Sequence, residues 1–316
     1  MLLNISFLIV GLVLLTAGAE GLVRGSASLA IRVGIAPLII GLTIVAFGTS
    51  APELVVSLVA SLKNQGDIAV GNVVGSNIFN VGFILGLTAL ICPVKVSLQI
   101  IKQDGPIMIA VSILTLIIIT KGIVSRLMGI TLLTTLVAYT GYIVLMAKRG
   151  ASSEIEKQFQ DGVPTRKKSL YLDLMFISGG LLLLVVGSRL LVESATDIAR
   201  LVGISEAVIG LTIIAAGTSM PELATSIVAA IRRQPDIAVG NVVGSNIFNI
   251  LGILGVASIV KPLTASGITD FDLWVMVAFA IALLPLLYTK LKLQRWEGVL
   301  LFSGYIAYLW VLWPSG

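Results

Sequence analysis

Residues 67–80 read DIAVGNVVGSNIFN, and residues 236–249 repeat those fourteen letters without a change. The identity is the centre of a longer correspondence at an offset of 169. Gly41–Gly82 aligns without gaps to Gly210–Leu251, with 29 of the 42 positions identical, GLTI and GTS-x-PEL among them. The same offset relates Gly18 to Gly187, Gly34 to Gly203, Gly129 to Gly298, and Ala138-Tyr139 to Ala307-Tyr308. Solenoid repeats recur every ~20–50 residues, so this much longer period makes the chain two copies of one half.

What surrounds the repeat is apolar. Of 316 residues, 57% are hydrophobic, 12% are charged and none is histidine, and the mean hydropathy is +1.06. A soluble domain carries about 25% charged residues to face water, so most of this chain faces lipid or other helices. At roughly 20 residues per crossing, ten spans are expected, near 2–23, 36–62, 68–92, 105–120, 127–147, 170–192, 206–231, 237–260, 271–289 and 296–313. The first is read as a retained helix, since no basic residue precedes it and no small-residue cleavage pattern follows. The polar stretch Lys148–Ser169 separates two five-helix halves, 1–147 and 170–316. Five is odd, so the second half enters the bilayer from the opposite side, as in the inverted repeats of secondary transporters. The expected fold is an all-α membrane protein of ten helices in two inverted repeats.

With the N-terminus outside, fifteen of the 21 basic residues fall in inner loops and six in outer ones, among them Arg200. By the positive-inside rule the 148–169 loop is then cytoplasmic and both termini extracellular. The net charge of +5 belongs to that bias and gives no reason to expect nucleic acid. One cysteine, Cys92, excludes an internal disulfide, and with no histidine present the ligands for zinc, haem or iron–sulfur cofactors are missing.

The second span of each half carries an anomaly. Its middle reads Ala46-Phe47-Gly48-Thr49-Ser50-Ala51-Pro52-Glu53, and its copy Ala215-Ala216-Gly217-Thr218-Ser219-Met220-Pro221-Glu222. Glycine and proline four residues apart predict a helix break near mid-bilayer, where freed backbone must be paired or line a polar cavity. The third spans carry Gly71-Asn72-x-x-Gly75-Ser76-Asn77-Ile78-Phe79-Asn80 and its copy ending in Ser245 and Asn249. A break is expected there too, giving broken helices 2, 3, 7 and 8. Ser50-x-x-Glu53 and Ser219-x-x-Glu222 read as capping boxes with proline in the first turn. A cap makes a break tolerable, yet leaves unexplained a carboxylate kept where charge costs about 2.5 kcal/mol or more. Asn72, Asn77, Asn241 and Asn246 suit interhelical bonding, and both Gly-x-x-x-Gly motifs suit close packing. Asp67 and Asp236 are expected to cap the third helices. Glu20–Arg24 and Arg189–Glu193 are expected as ion pairs at helix ends.

Inversion would gather both breaks at the midplane, making a site of carboxylates, amides, hydroxyls and carbonyls. Such an all-oxygen set suits calcium and sodium. Two glutamates carry −2, which one Ca2+ balances, while three Na+ leave one net positive charge. Exchange of these loads would move charge across the membrane.

GTS-x-PEL followed by GN-x-x-GSNIFN, twice over, resembles the two alpha repeats of the cation/calcium exchanger superfamily, in the style of the compact prokaryotic sodium/calcium exchangers. The resemblance covers the full length. It implies a non-enzymatic, cofactor-free Na+/Ca2+ antiporter of the cell membrane, a monomeric transport unit working by alternating access as the first and sixth helices slide past a fixed core. By motif position it implies Ca2+ ligation by Glu53, Glu222 and the carbonyls of Thr49 and Thr218. Sodium sites would add Ala46, Ser50, Ser76, Ala215, Ser219 and Ser245, with Asn80 and Asn249 central. Aspartate stands at the Asn249 position in several members, notably potassium-dependent ones, and asparagine here implies that K+ is not co-transported. A proton-coupled calcium exchanger is the rival reading. A channel ranks lower because inverted repeats belong more to alternating access, an anion transporter using helix N-termini because the carboxylates repel anions, and an intramembrane enzyme lower still.

The charge bias makes a topological prediction. In a Cys92→Ala background, cysteines at positions 153 and 315 should react with impermeant maleimide from opposite sides; labelling from one side refutes the inversion.

Overall fold

The computed structural model describes residues 2–149, 169–201, 215–265 and 267–312. Nearly all of the expected 148–169 loop and the opening of the expected seventh span lie outside the described residues. The rest is almost wholly helical, because a chain that offers its backbone no water satisfies N–H and C=O within each helix.

Helix α1 is Leu2–Val33. Helix α2 (Pro37–Ile40) passes through a π-helical turn into α3 (Ala46–Thr49), and α4 (Ala51–Leu62) follows a break at Ser50. Helix α5 (Gly66–Phe79), a π segment (Asn80–Leu85) and α6 (Gly86–Ile91) form one rod. A short strand β1 (Val94–Lys95), a π turn (Ile100–Asp104), α7 (Gly105–Thr120), β2 (Ile123–Val124) and α8 (Arg126–Arg149) complete the first half. The second half opens with α9 (Leu170–Leu201), α10 (Ala215–Thr218) and α11 (Met220–Ile231). A second rod joins α12 (Pro235–Phe248), a π segment (Asn249–Leu254) and α13 (Gly255–Val260). Strand β3 (Leu263–Thr264), α14 (Asp270–Tyr288), β4 (Lys292–Leu293) and α15 (Arg295–Leu312) follow. The strands pair antiparallel, β1 with β4 and β2 with β3.

Among the described residues, seven helical stretches are long and apolar enough to cross a bilayer, and the pair Pro37–Thr49 and Ala51–Leu62, bent by 46°, makes an eighth. The chain is therefore a multi-pass membrane protein. Of the other two expected spans, the seventh is described only from Ala215 on and the tenth is the 18-residue helix α15.

The described chain divides into two units, Met1–Thr49 with Thr140–Asn241 and Ser50–Tyr139 with Val242–Gly316. In the first, α1 lies antiparallel along α9, and glycines spaced by seven set the seam. A methyl group at Gly11 would lie 2.9 Å from the Gly187 carbonyl oxygen, one at Gly18 2.8 Å from that of Gly180, and one at Gly25 2.9 Å from that of Asp173. Bare backbones touch here because apolar lipid offers no hydrophobic drive to join helices, leaving van der Waals contact to do so. Arg32 Nε bonds Asp173 at 2.7 Å, while Glu20 takes Arg24 from its own helix and Arg232 Nε from beyond α11 at 2.7 Å.

The second unit uses the same device twice. A methyl at Gly298 of α15 would meet the Gly86 carbonyl of α6 at 2.7 Å, and one at Gly129 of α8 would meet the Gly255 carbonyl of α13 at 2.7 Å. The tyrosines of the repeat pin buried acids: Tyr139 donates to Asp104 at 2.9 Å and Tyr308 to Asp272 at 2.8 Å.

Several expectations are corrected. Helices 3 and 8 are not broken; with no proline inside, each takes up its glycines and starts a π segment at Asn80 or Asn249, where the ladder shifts register without opening. Ser50 and Ser219 occupy N-cap positions but their side chains make no cap hydrogen bond, since the backbone there (φ −82°, ψ 9°; φ −89°, ψ 9°) is closer to helical than to the extended form a cap needs. Asp67 is not a cap either: α5 is preceded by Gln65, and the Asp67 carboxylate accepts from the Gly267 N–H at 2.8 Å. Glu20 and Arg24 pair as expected, but inside α1 and not at its end.

The glycine seam predicts position-specific damage. Gly180→Ala would place its methyl 2.6 Å from the Leu22 nitrogen, whereas Gly179 has open space. Gly180→Ala should cost about 1–3 kcal/mol from overpacking, read as a lower thermal midpoint in detergent, with Gly179→Ala unchanged.

Candidate functional site

The proline of each break removes one N–H from the helix ladder. Pro52 and Pro221 cannot donate to the carbonyls of Gly48 and Gly217, four residues back. In the first unit the Gly217 carbonyl instead accepts from the Ser188 hydroxyl of α9 at 2.6 Å. The corresponding residue of α1, 169 earlier, is Ala19.

Each glutamate sits in the first turn after its break and is 1% exposed. Each is anchored through its backbone to the neighbouring rod. In the second unit Asn72 Nδ2 donates to the Glu53 carbonyl at 3.1 Å and to Ser57 Oγ at 2.9 Å, and Ser57 donates to the Ala69 carbonyl at 3.3 Å. In the first unit Asn241 Nδ2 donates to the Glu222 carbonyl at 3.3 Å and to Ser226 Oγ at 3.1 Å, with Ser226 bonding the Ala238 carbonyl at 3.5 Å. The two arrangements are copies, each holding a carboxylate-bearing turn against a glycine-containing helix. Asn72 and Asn241 are thus interhelical ties, as their residue type suggested. Thr49 is buried and donates from Oγ1 to Asn241 Oδ1 at 3.0 Å and to the Ala46 carbonyl at 3.3 Å.

The asparagines that start the π segments lie in the second unit with their partners. Asn80 Nδ2 donates to Asn246 Oδ1 at 3.0 Å, and Asn249 Nδ2 to Asn77 Oδ1 at 3.1 Å. Both amide nitrogens are spent on protein, and both amide oxygens, with Ser245 Oγ, are buried with no hydrogen-bond partner. An unpartnered buried acceptor costs about 1–3 kcal/mol, and each of these three neutral oxygens has lone pairs to offer a hard cation.

Of the residues singled out in the sequence, the first unit contains Ala46, Thr49, Thr218, Ser219 and Glu222, and the second Ser50, Glu53, Ser76, Asn80, Ser245 and Asn249. Except for Ala215, whose side chain lies outside the described residues, all of these are buried. Glu53 and Glu222 belong to different units, each fixed within its own. Sequence reading missed Ser57 and Ser226, although they too stand 169 apart, and it missed Ser188, which has no copy to betray it.

The family described as "Sodium/calcium exchanger protein" matches residues 3–146 and 173–313. The chain is 40% identical to "Putative antiporter CaxA" of Alkalimonas amylolytica over the whole of both chains. It is 33% identical to "Sodium/calcium exchanger MaX1" of Methanosarcina acetivorans, over 98% of each. A solved structure of the sodium-calcium exchanger NCX_Mj, soaked with 10 mM Na+ and zero Ca2+, superposes with a TM-score of 0.84 at 32% identity, again covering 98% of each.

Proposed function

The chain belongs to the sodium/calcium exchanger family, which makes it a membrane cation/Ca2+ antiporter of the prokaryotic type, and from that premise we propose that it exchanges Na+ for Ca2+ by alternating access. The observation that carries this reading is the duplicated, buried glutamate after a helix break. A carboxylate this far from water is unfavourable unless a cation shares its burial, and two of them match one divalent ion.

In this reading Glu53 and Glu222, with the carbonyls of Thr49 and Thr218, hold Ca2+. Ala46, Ser50, Ser76, Ala215, Ser219 and Ser245 add sodium positions, and Asn80 and Asn249 supply neutral oxygens to both loads. No nitrogen or thiolate competes, so the set favours hard ions over zinc or copper. Three Na+ against one Ca2+ moves one charge per cycle, and a neutral Asn249 leaves no negative charge over for K+. The halves 1–147 and 170–316 act as inverted repeats joined by a cytoplasmic 148–169 loop, one chain being a complete transport unit with both termini outside.

Uptake of radioactive Ca2+ into sodium-loaded proteoliposomes tests this directly. Uptake should need the outward sodium gradient, run faster when the interior is held positive because net positive charge leaves, and proceed equally with and without K+. Glu53→Gln and Glu222→Gln should each reduce it to the empty-liposome background while the protein still elutes as a folded monodisperse species. Wild-type rates in either variant would remove these residues as ligands. Uptake that follows a pH gradient at fixed Na+ would replace the sodium reading with the proton-coupled one.

A further inference from the structure

An asparagine amide is nearly the same shape either way round, so its oxygen faces a given direction only where the neighbours decide. We propose that the thioethers of Met108 and Met276, each acting with one backbone carbonyl, make that decision, as positioning residues that turn the amide oxygens of Asn80 and Asn249 toward the transported ion. This rests on the exchange reading and assigns it two further specificity-determining residues.

The argument runs through one amide at a time, all within the second unit. Asn77 Nδ2 lies 3.9 Å from Met276 Sδ and 3.4 Å from the Asn246 carbonyl oxygen. Sulfur and carbonyl can only accept. Turning the Asn77 amide over would set its oxygen against two lone-pair carriers, so Oδ1 is held on the opposite side, where it receives Asn249 Nδ2 at 3.1 Å. With its nitrogen committed, Asn249 presents Oδ1 elsewhere, buried and unpartnered. The copy runs the same way. Asn246 Nδ2 lies 3.6 Å from Met108 Sδ and 3.4 Å from the Asn77 carbonyl oxygen, Asn246 Oδ1 receives Asn80 Nδ2 at 3.0 Å, and Asn80 Oδ1 is left unpartnered.

The sulfurs are held in place. Met108 and Met276 are buried at 0% and 2% exposure. Each follows by one helical turn an aspartate gripped by a tyrosine of another helix, Asp104 by Tyr139 and Asp272 by Tyr308. The methionines and these aspartates stand 168 apart, not 169. The repeat has slipped by one residue here, yet each thioether still meets its own amide. Leucine would fill similar space without the acceptor.

Met108→Leu, Met276→Leu and the double variant, in the reconstituted full chain, test the idea. The double variant should raise the half-saturating Ca2+ and Na+ concentrations at least about three-fold and alter the Ca2+/Sr2+ preference, with maximal rate and thermal midpoint near wild type. Glutamine at both positions, which returns an acceptor, should restore wild-type half-saturation. A purely structural role would lower the midpoint and the rate and leave half-saturation and ion preference alone. If the double variant does not insert, the single variants decide by the same ratios. Leucine variants with wild-type half-saturation and ion preference overturn this proposal alone, whereas a wild type that moves no Ca2+ against Na+ overturns the functional reading and this one with it.

Discussion

Backbone carbonyls have no water to turn to inside a bilayer, and that constraint governs the rest of this molecule. A proline in mid-span leaves one carbonyl without its helical donor, and hydrocarbon makes that loss worth several kcal/mol unless something else donates. Ser188 answers for Gly217. Asn72 and Asn241 tie down the turns that carry Glu53 and Glu222. The second break therefore has an assigned donor at its freed carbonyl, and both glutamate-bearing turns are tied through their backbones to a neighbouring helix. A binding group held by its own backbone loses less freedom when an ion arrives.

The same solvent explains the glycines. Helices in lipid gain little from hiding apolar side chains from one another, so close contact comes from removing side chains altogether. Glycines 11, 18 and 25 on α1, meeting Gly187, Gly180 and Asp173 on α9, remove them every second turn. Gly86 with Gly298 and Gly255 with Gly129 do so at single crossings. The packing units cut across the duplication, since each draws helices from both copies.

Much of this was legible beforehand. Gly18, Gly187, Gly129 and Gly298 stood out in the repeat before any contact was known, because helix crossings constrain residue size in both copies alike. The break before Glu53 was legible because proline leaves the ladder no choice. Glycine and asparagine in the third helices misled, since they permit a distortion without specifying its kind, and the chain used a π segment that keeps every turn closed. The capping boxes failed for a related reason: the letters fit, but the cap needs an extended backbone, and Ser50 keeps a near-helical one. Met108 and Met276 gave no signal at all. In an apolar helix methionine reads as filling, and only the position of its sulfur against an amide separates the two roles.

Ser188 has a consequence for the protein at rest. Two identical halves would begin with equal energies, and any preference between conformations that exchange their roles has to come from positions where the copies have diverged. A hydroxyl at 188 and a methyl at 19 are such a divergence, the hydroxyl being bonded to the Gly217 carbonyl at the second break. One hydrogen bond of about 1 kcal/mol is roughly a five-fold difference in population. A single oxygen atom, present in one copy and absent from the other, is enough to make the two halves of the duplication unequal in energy.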